Sequence, residues 1–390
     1  MKKLPIRPLL SLAALCVGSA AHAQAEPAKA FEFRAAAGIE HDNNVLRQNA
    51  NEITDTIYTL SAGARFDKRI GLQRLRADIE ATAYKYQDRS DLDYNTLNYS
   101  AAWDWSLTPR FRGVLSADRR QYREVVTDSL TVANRVGRRT ERVELLEGMY
   151  EVGASWRALG GVRHTANEST EPRSWDASPH VTSAHVGVGY ETPKGSLLTL
   201  KYRRGDGEYT DASAGAAAGD FKEDEVELAL KWPLTVKTLI QGRIAHLKRQ
   251  HDIAPQLDFS GMVGGASINW EITGKTRLIA GYAHDLVASG LVTGGHVEAD
   301  RVYITPVWQV APHIALNARL DHTDRRWKDV SAGADVGRSE KVQTIGVGVD
   351  WDPRPAFTVS AGVRGEKLRS SLPSSSYDAT ILAVAVKARF

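Results

Sequence analysis

The sequence predicts an all-β protein: a transmembrane antiparallel up-and-down β-barrel of about 18 strands (16–18), with short periplasmic turns and longer extracellular loops. Three observations predict it. Apolar and polar residues alternate with period two along nearly the whole chain. The breaks between alternating segments are by turns short and long. Tryptophans gather beside the short breaks.

The alternation is clearest from Leu75 to Ala83. Leu75, Ala77, Ile79, Ala81 and Ala83 share one face, and Arg74, Arg76, Asp78, Glu80 and Thr82 share the other. A strand places successive side chains on opposite faces, so this is a sheet greasy on one side and charged on the other. The same split recurs at Leu198–Arg203, Glu225–Trp232, Ile314–Asp321 and Phe357–Arg364. The apolar face is rich in Ala, Gly and Val. A soluble sandwich would need larger groups there to fill a core, whereas small ones suffice against lipid. Mean hydropathy is −0.34. That suits a barrel, in which only one strand face meets lipid.

Short breaks fall near Gly71, Thr108-Pro109, Gly153-Ala154-Ser155, Pro193-Lys194-Gly195, Pro233-Leu234, Thr273-Gly274-Lys275, Pro312 and Pro353-Arg354-Pro355. Between them lie mostly longer polar stretches: His41–Glu52, Val126–Arg139, Asn167–Asp176, Thr210–Asp220, Gln250–Gln256, Ala288–His296, Asp329–Gly337 and Ser370–Ser376. One break, around Asp88 to Asp93, is short on the long side. This puts an even number of strands between two termini on the short-turn side, as bacterial barrels require. Trp105, Trp156, Trp232, Trp270, Trp308 and Trp351, with Tyr190, sit within a few residues of short turns. Aromatic rings favour the level where acyl chains meet headgroups. These residues are expected to form the periplasmic girdle. The chain ends in alternating apolar residues and Phe390, like the signal read by the outer-membrane insertion machinery.

The N-terminus reads as an export signal over residues 1–23. Lys2, Lys3 and Arg7 precede the apolar run Leu9–Ala20, and Ala21-His22-Ala23 supplies a small-x-small cleavage site. Cys16, the sole cysteine, follows Leu15 rather than a small residue, so no lipid anchor is expected. Cleavage would remove it and with it any disulfide or thiolate metal site. Fifty basic residues less the three in the signal leaves 47 against 47 acidic ones. A neutral mature chain is not a nucleic-acid binder. Residues 24–30 are expected to be a short periplasmic segment and 31–390 the barrel. No linker or composition shift divides that span.

No phosphate loop, dinucleotide fingerprint or His-Glu-x-x-His motif is present. His185, His246, His284 and His322 fall on strand positions, but nothing ties any of them to a serine. An enzyme is not expected, nor is a cofactor. Asp91, Asp93 and Asn95 have calcium-ligand spacing without the glycine and distal glutamate of a calcium loop, and read as polar turn residues. The informative chemistry is the charged strand face. By alternation Arg74, Arg76, Asp78, Glu80, Arg119, Arg123, Lys201, Arg203, Glu225, Glu227, Arg243, Arg249, Arg319, Asp321, Arg325, Arg364 and Glu366 are expected to face the lumen. Charge rings there tune what passes.

Several short motifs in order carry a resemblance. They are Glu40-His41-Asp42-Asn43-Asn44-Val45-Leu46-Arg47, Thr54-Asp55-Thr56-Ile57-Tyr58, Tyr84-Lys85-Tyr86-Gln87-Asp88, Ser90-Asp91-Leu92-Asp93-Tyr94, Ala102-Trp103-Asp104-Trp105, Lys248-Arg249-Gln250-His251, Asp258-Phe259-Ser260-Gly261 and Gly281-Tyr282. Together they resemble the EpsL-like group of type 2 β-barrel porins encoded in exopolysaccharide operons. The resemblance implies export of an exopolysaccharide across the outer membrane of a Gram-negative cell. It also implies partners among periplasmic or inner-membrane export components, and it carries over no catalytic residue. The residues themselves indicate only a wide barrel in outer-membrane lipid. A strand count near 18 argues for transport over a packed anchor. A general solute porin is the second reading, and a barrel with a plugged lumen that binds glycan through its loops is the third.

Overall fold

The computed structural model describes residues 30–128, 133–171, 179–210, 219–289, 294–331 and 333–390. The expected signal peptide lies outside the described residues, as does the 24–30 segment up to its last residue. Eighteen strands follow one another in sequence. They are β1 (Phe31–Asp42), β2 (Asp55–Ile70), β3 (Gln73–Tyr86), β4 (Tyr94–Ser106), β5 (Phe111–Asp128), β6 (Ala133–Val152), β7 (Trp156–Ser169), β8 (Pro179–Glu191) and β9 (Leu197–Tyr209). The second half comprises β10 (Phe221–Thr235), β11 (Thr238–His251), β12 (Phe259–Thr273), β13 (Thr276–Ala288), β14 (His296–Ala311), β15 (Ile314–Lys328), β16 (Ser339–Arg354), β17 (Phe357–Ser370) and β18 (Tyr377–Arg389).

Each strand pairs antiparallel with the next, and β1 pairs with β18, so the sheet closes with no edge. The seam runs from Arg34↔Arg389 to Asp42↔Ile381, and beyond it Phe33 and Phe390 exchange backbone hydrogen bonds of 3.2 and 2.9 Å. Closure leaves no sheet edge open to hydrocarbon, where unpaired backbone groups find no partner. No helix among the described residues is long and apolar enough to cross a membrane; the crossing elements are strands.

The two sides of the wall differ as the alternation requires. Ile79, Leu97, Val186, Leu200, Leu228, Ile345, Val347 and Val384 are exposed on the outer face. Inward residues are covered by their neighbours, and their charges reach across the concave side. Arg34 on β1 meets Asp78 on β3, and Lys201 on β9 meets Glu147 on β6. Such contacts skip a strand or two and are possible only where side chains converge. An arginine forced onto the outer face should therefore be costly. Leu228→Arg, four residues above Trp232, is expected to destabilise the barrel by about 2–4 kcal/mol. Urea unfolding in lipid vesicles checks this, and a cost under about 1 kcal/mol would contradict a lipid-facing position.

Two expected breaks are displaced. Pro233-Leu234 and Pro353-Arg354 lie inside strand ends, and the turns fall just beyond, at residues 236–237 and 355–356. In β10 the ladder shifts register between Pro233 and Thr235, and in β16 between Trp351 and Arg354. A proline has no N–H to donate, so it sits where the ladder is already interrupted. A larger correction concerns Val126–Arg139, expected as a loop. It is mostly strand: β5 runs to Asp128 and β6 begins at Ala133, with β5–β6 pairing unbroken throughout. Its alternation is poor because this part of the hairpin does not face lipid.

Candidate functional site in the barrel lumen

The lumen wall carries both signs of charge in contact. Arg74 pairs with Asp67 (2.7 Å), Arg76 with Asp104 (2.8 Å) and Arg34 with Asp78 (2.5 Å). Glu80 lies on the same inner face as Asp78 and makes no ion pair among the described residues. Across the barrel, Arg203 spans Glu223 (3.1 Å) and Glu225 (2.8 Å). Arg243 spans Glu227 (3.1 Å) and Asp285 (3.8 Å), the latter two strands away. Glu147 takes Lys201 at 3.5 Å and His185 at 3.2 Å. Asp321 is clamped between Arg301 and Arg319. Arg364 reaches Glu366 (2.9 Å) and, past β18, Glu40 (3.8 Å).

Two of the expected lumen residues stand elsewhere. Arg119 is on the outer face. It is register-paired with Tyr99, on the face that carries Leu97 and Trp103, and its guanidinium donates to the Leu97 carbonyl. The alternation misleads here because β5 leaves β4 just above this point. Arg249 points inward but is buried at the extracellular end. It sits between the rings of Phe221 (4.3 Å) and Phe259 (5.2 Å) and is bonded to Glu223 at 2.8 Å. It anchors the wall to its loops rather than lining an open path. The sequence reading missed Arg34, Arg163, Arg301, Asp104, Glu147 and Asp285, all on inward strand positions.

The seven aromatic residues expected as a girdle lie at one end, on the outer face. Trp156, Trp232, Trp270, Trp308, Trp351 and Tyr190 are exposed there, and Trp105 packs edge-on against Phe111 at 5.1 Å. Phe390, also exposed, is at the same level. The strand histidines do not form catalytic groups. His246 meets Ser260 on the outer face, His284 and His322 face Asp300 and Asp324, and His185 faces Glu147. Asp91 is held by Arg89, and Asp93 by Lys85 and the Tyr86 amide. Those carboxylates are therefore committed to the protein.

The extracellular end is capped by structures folded inward over the wall. Three loops share one device. Asp93 accepts the Tyr86 amide, Asp258 the His251 amide and Ser376 the Ser370 amide, each across a short 3-10 turn. An inward aromatic then follows: Tyr94, Phe259 or Tyr377. The β1–β2 loop is tied by Asn44, whose side chain donates to the Gln48 and Asp378 carbonyls at 2.8 and 2.9 Å. Arg47 in that loop bridges Asp42 (2.8 Å) and Glu366 (3.0 Å), with all three groups nearly fully buried. Burial works against charge on Arg47, but Glu366 and Asp42 outweigh it and raise its pKa.

Two hairpins bend further. Pairing of β4 with β5 stops at Tyr99↔Arg119, where the Asn98 side chain bonds the Gln121 backbone instead. Above this the β5–β6 hairpin leans over β4, β3, β2 and β1. Arg123 approaches Asp42 (3.7 Å), Arg138 covers the Tyr94 ring (5.9 Å), and Val125 packs on inward Leu368, Tyr377, Ala379 and Ile381 of β17–β18. Asn134 donates to the Arg47 and Ser375 carbonyls at 2.6 and 2.9 Å. In the same way β13 separates from β12 above Gly264↔His284, and Leu286 and Ala288 pack on inward Ala245, Leu247, Phe259 and Val263. Gly261 leaves room there: a Cβ on it would lie 2.7 Å from Leu286 Cδ1, and that methyl would have to turn away.

Fold, girdle and charge-paired lumen define a porin-like transmembrane barrel. A family model described as "Putative beta-barrel porin 2" matches residues 238–390, which is β11 to the end. OccK2 (OpdF) of Pseudomonas aeruginosa superposes with a TM-score of 0.51 at 12% identity, covering 92% of this chain and 97% of that one. Its structure in complex with glucuronate gives a TM-score of 0.50 at 12% identity over 92% and 98%. Acinetobacter baumannii OccAB3 gives 0.47 at 9% identity over 92% and 99%. No curated protein matches this chain.

Proposed function

We propose that this barrel lies in the outer membrane and conducts small polar solutes as a porin. The observation that carries the reading is the inner wall. An 18-stranded closed sheet is wide enough for an aqueous interior, and this one is lined by arginine–carboxylate pairs instead of packed apolar groups. Paired charges of both signs hold water and small polar solutes without trapping either sign. The exopolysaccharide role implied by the sequence resemblance gains no support from the comparisons, which speak of porins. The inward-folded loops and hairpins also favour small solutes over a continuous hydrated polymer. Delivery by the insertion machinery through the β18 end at Phe390 goes with this reading.

Planar-bilayer recording and vesicle swelling with sugars of graded size test it. Stepwise conductance and size-limited uptake are expected. A silent barrel, together with loss of surface polymer in a clean gene deletion, would sink the solute reading. Selectivity should be weak at neutral pH, because the wall charges are paired. Asp321→Asn frees Arg301 and Arg319 together. A net unit charge at about 4 Å in watery surroundings is worth about 1 kcal/mol, so preference for anions should rise about fivefold. The reversal potential in a salt gradient reads this, and an unchanged potential would remove Asp321 from the ion path.

A further inference from the structure

We infer that the outer wall of β15–β18 holds a phosphate-bearing lipid of the outer leaflet, whatever the lumen carries. The outward positions at the extracellular end of these strands bring together Arg326, Lys328, Lys341, Lys367 and Arg369. Their height is set by the strands. Lys341 is ten residues up β16 from Trp351, Lys367 ten up β17 from Phe357, and Arg326 ten up β15 from Leu316. At about 3.3 Å per residue on strands tilted about 40°, ten residues rise roughly 25 Å, the height of the apolar band. The intervening outer face is apolar, with Ile345, Val347, Leu320, Val363 and Val384 exposed. The cations therefore ring the far headgroup level.

The protein's own carboxylates leave the patch with a net positive charge around Lys341. Lys341 stands directly opposite Arg369 in the β16–β17 register. Like charges so placed repel. Asp378 is shared between Arg369 (2.7 Å) and Lys367 (3.7 Å), and Arg326 is met by Asp300 (2.7 Å) and Glu298 (3.9 Å) on β14. Asp324, opposite Lys341, is bonded to His322 at 3.1 Å. Lys341 itself has no partner among the described residues. The corresponding outer rim of β9–β11 is balanced, with Arg204, Lys222 and Lys248 interleaved with Asp206, Glu208 and Asp224. A second copy of the chain docked about a two-fold axis would set cations against cations. A lipid phosphomonoester brings the missing negative charge to the required depth and accepts several charged hydrogen bonds at once.

The purified barrel in neutral detergent is titrated with bisphosphorylated lipid A, the same lipid dephosphorylated, and inorganic phosphate, with binding read by native mass spectrometry. Preferential binding of the phosphorylated lipid is expected. The Lys341→Gln/Lys367→Gln/Arg369→Gln variant should lose on the order of 100-fold in apparent affinity, since each basic residue near an anionic lipid surface contributes about fivefold. Arg204→Gln/Lys222→Gln/Lys248→Gln should change it little. Equal binding of both lipids by the wild type would overturn the proposal, a result that does not depend on any variant folding. So would unchanged affinity in the first triple variant, competition by free phosphate alone, or a shift in oligomeric state without phosphate preference.

Discussion

Replacing Arg47 by alanine should destabilise the extracellular cap by about 3–5 kcal/mol, the usual cost of leaving a buried charge without its partner. Arg47 is the cation that bridges two carboxylates water does not reach: Asp42 is fully buried and Glu366 nearly so. Arg123 stands 3.7 Å from Asp42 and Arg364 2.9 Å from Glu366, but neither joins the two. Arg47 also holds the loop in shape. Its φ is 54°, the left-handed region, where a non-glycine residue persists only if its surroundings hold it. Its amide donates to the Asn44 carbonyl at 3.0 Å, and its own carbonyl receives Asn134 from the bent β5–β6 hairpin. The truncation therefore removes the ion pairs and loosens the contact between two caps. Denaturant unfolding in micelles and protease cleavage of the β1–β2 loop should both register it. Adding Asp42→Asn and Glu366→Gln should recover part of the loss, because the uncompensated charges disappear. A loss below about 1 kcal/mol for Arg47→Ala, or a further loss on adding the two neutral variants, would mean that this buried triad does not hold the cap.

The barrel was legible in the sequence because lipid and a wet lumen impose opposite demands on neighbouring residues. Leu75 and Arg76 could be assigned to faces from their order alone, and the tryptophans marked one end. What the alternation could not report is any place where the wall stops being a plain wall. Arg119 has the chemistry of a lumen residue, yet faces outward one step below the departure of β5 from β4. Val126–Arg139 reads as a loop because its residues answer to Asp42, Tyr94 and the inner face of β17–β18, not to lipid. Those partners are far away in sequence. The motif Glu40 to Arg47 was visible as a pattern, but only the fold shows that Asp42, Asn44 and Arg47 tie the β1–β2 loop to β17–β18. Conversely, the pairing of lumen charges depends on convergence across the bore, as with Lys201 and Glu147 three strands apart, and no strand-by-strand reading contains it.

Excising the tip of the β5–β6 hairpin should raise single-channel conductance severalfold while the barrel still folds. The register makes the excision clean. Arg123 and Arg138 are directly opposed, so residues 124–137 can be replaced by Asn-Gly, a two-residue turn whose twist suits an antiparallel pair. The β5–β6 ladder below this point, the β6–β7 pairing from Arg139 downward and the β1–β18 seam are untouched. The excision loses the cover of Val125 over Leu368, Tyr377, Ala379 and Ile381, the bridge from Asn134 to two neighbouring loops and the Glu124 carboxylate that meets Arg139 at 2.7 Å. Exposing that apolar surface should cost about 2 kcal/mol, a small part of what closure of eighteen strands supplies. The gain is an open mouth over the arc from β4 to β17, above a bore that this strand number makes wide enough for water. Larger sugars should then enter vesicles that exclude them with the intact protein. If conductance and size limit both stay at the wild-type level, the narrowest point lies deeper, between Arg364 and Glu40 or at the Arg301–Asp321–Arg319 clamp. Widening would then need those side chains shortened rather than the cap removed.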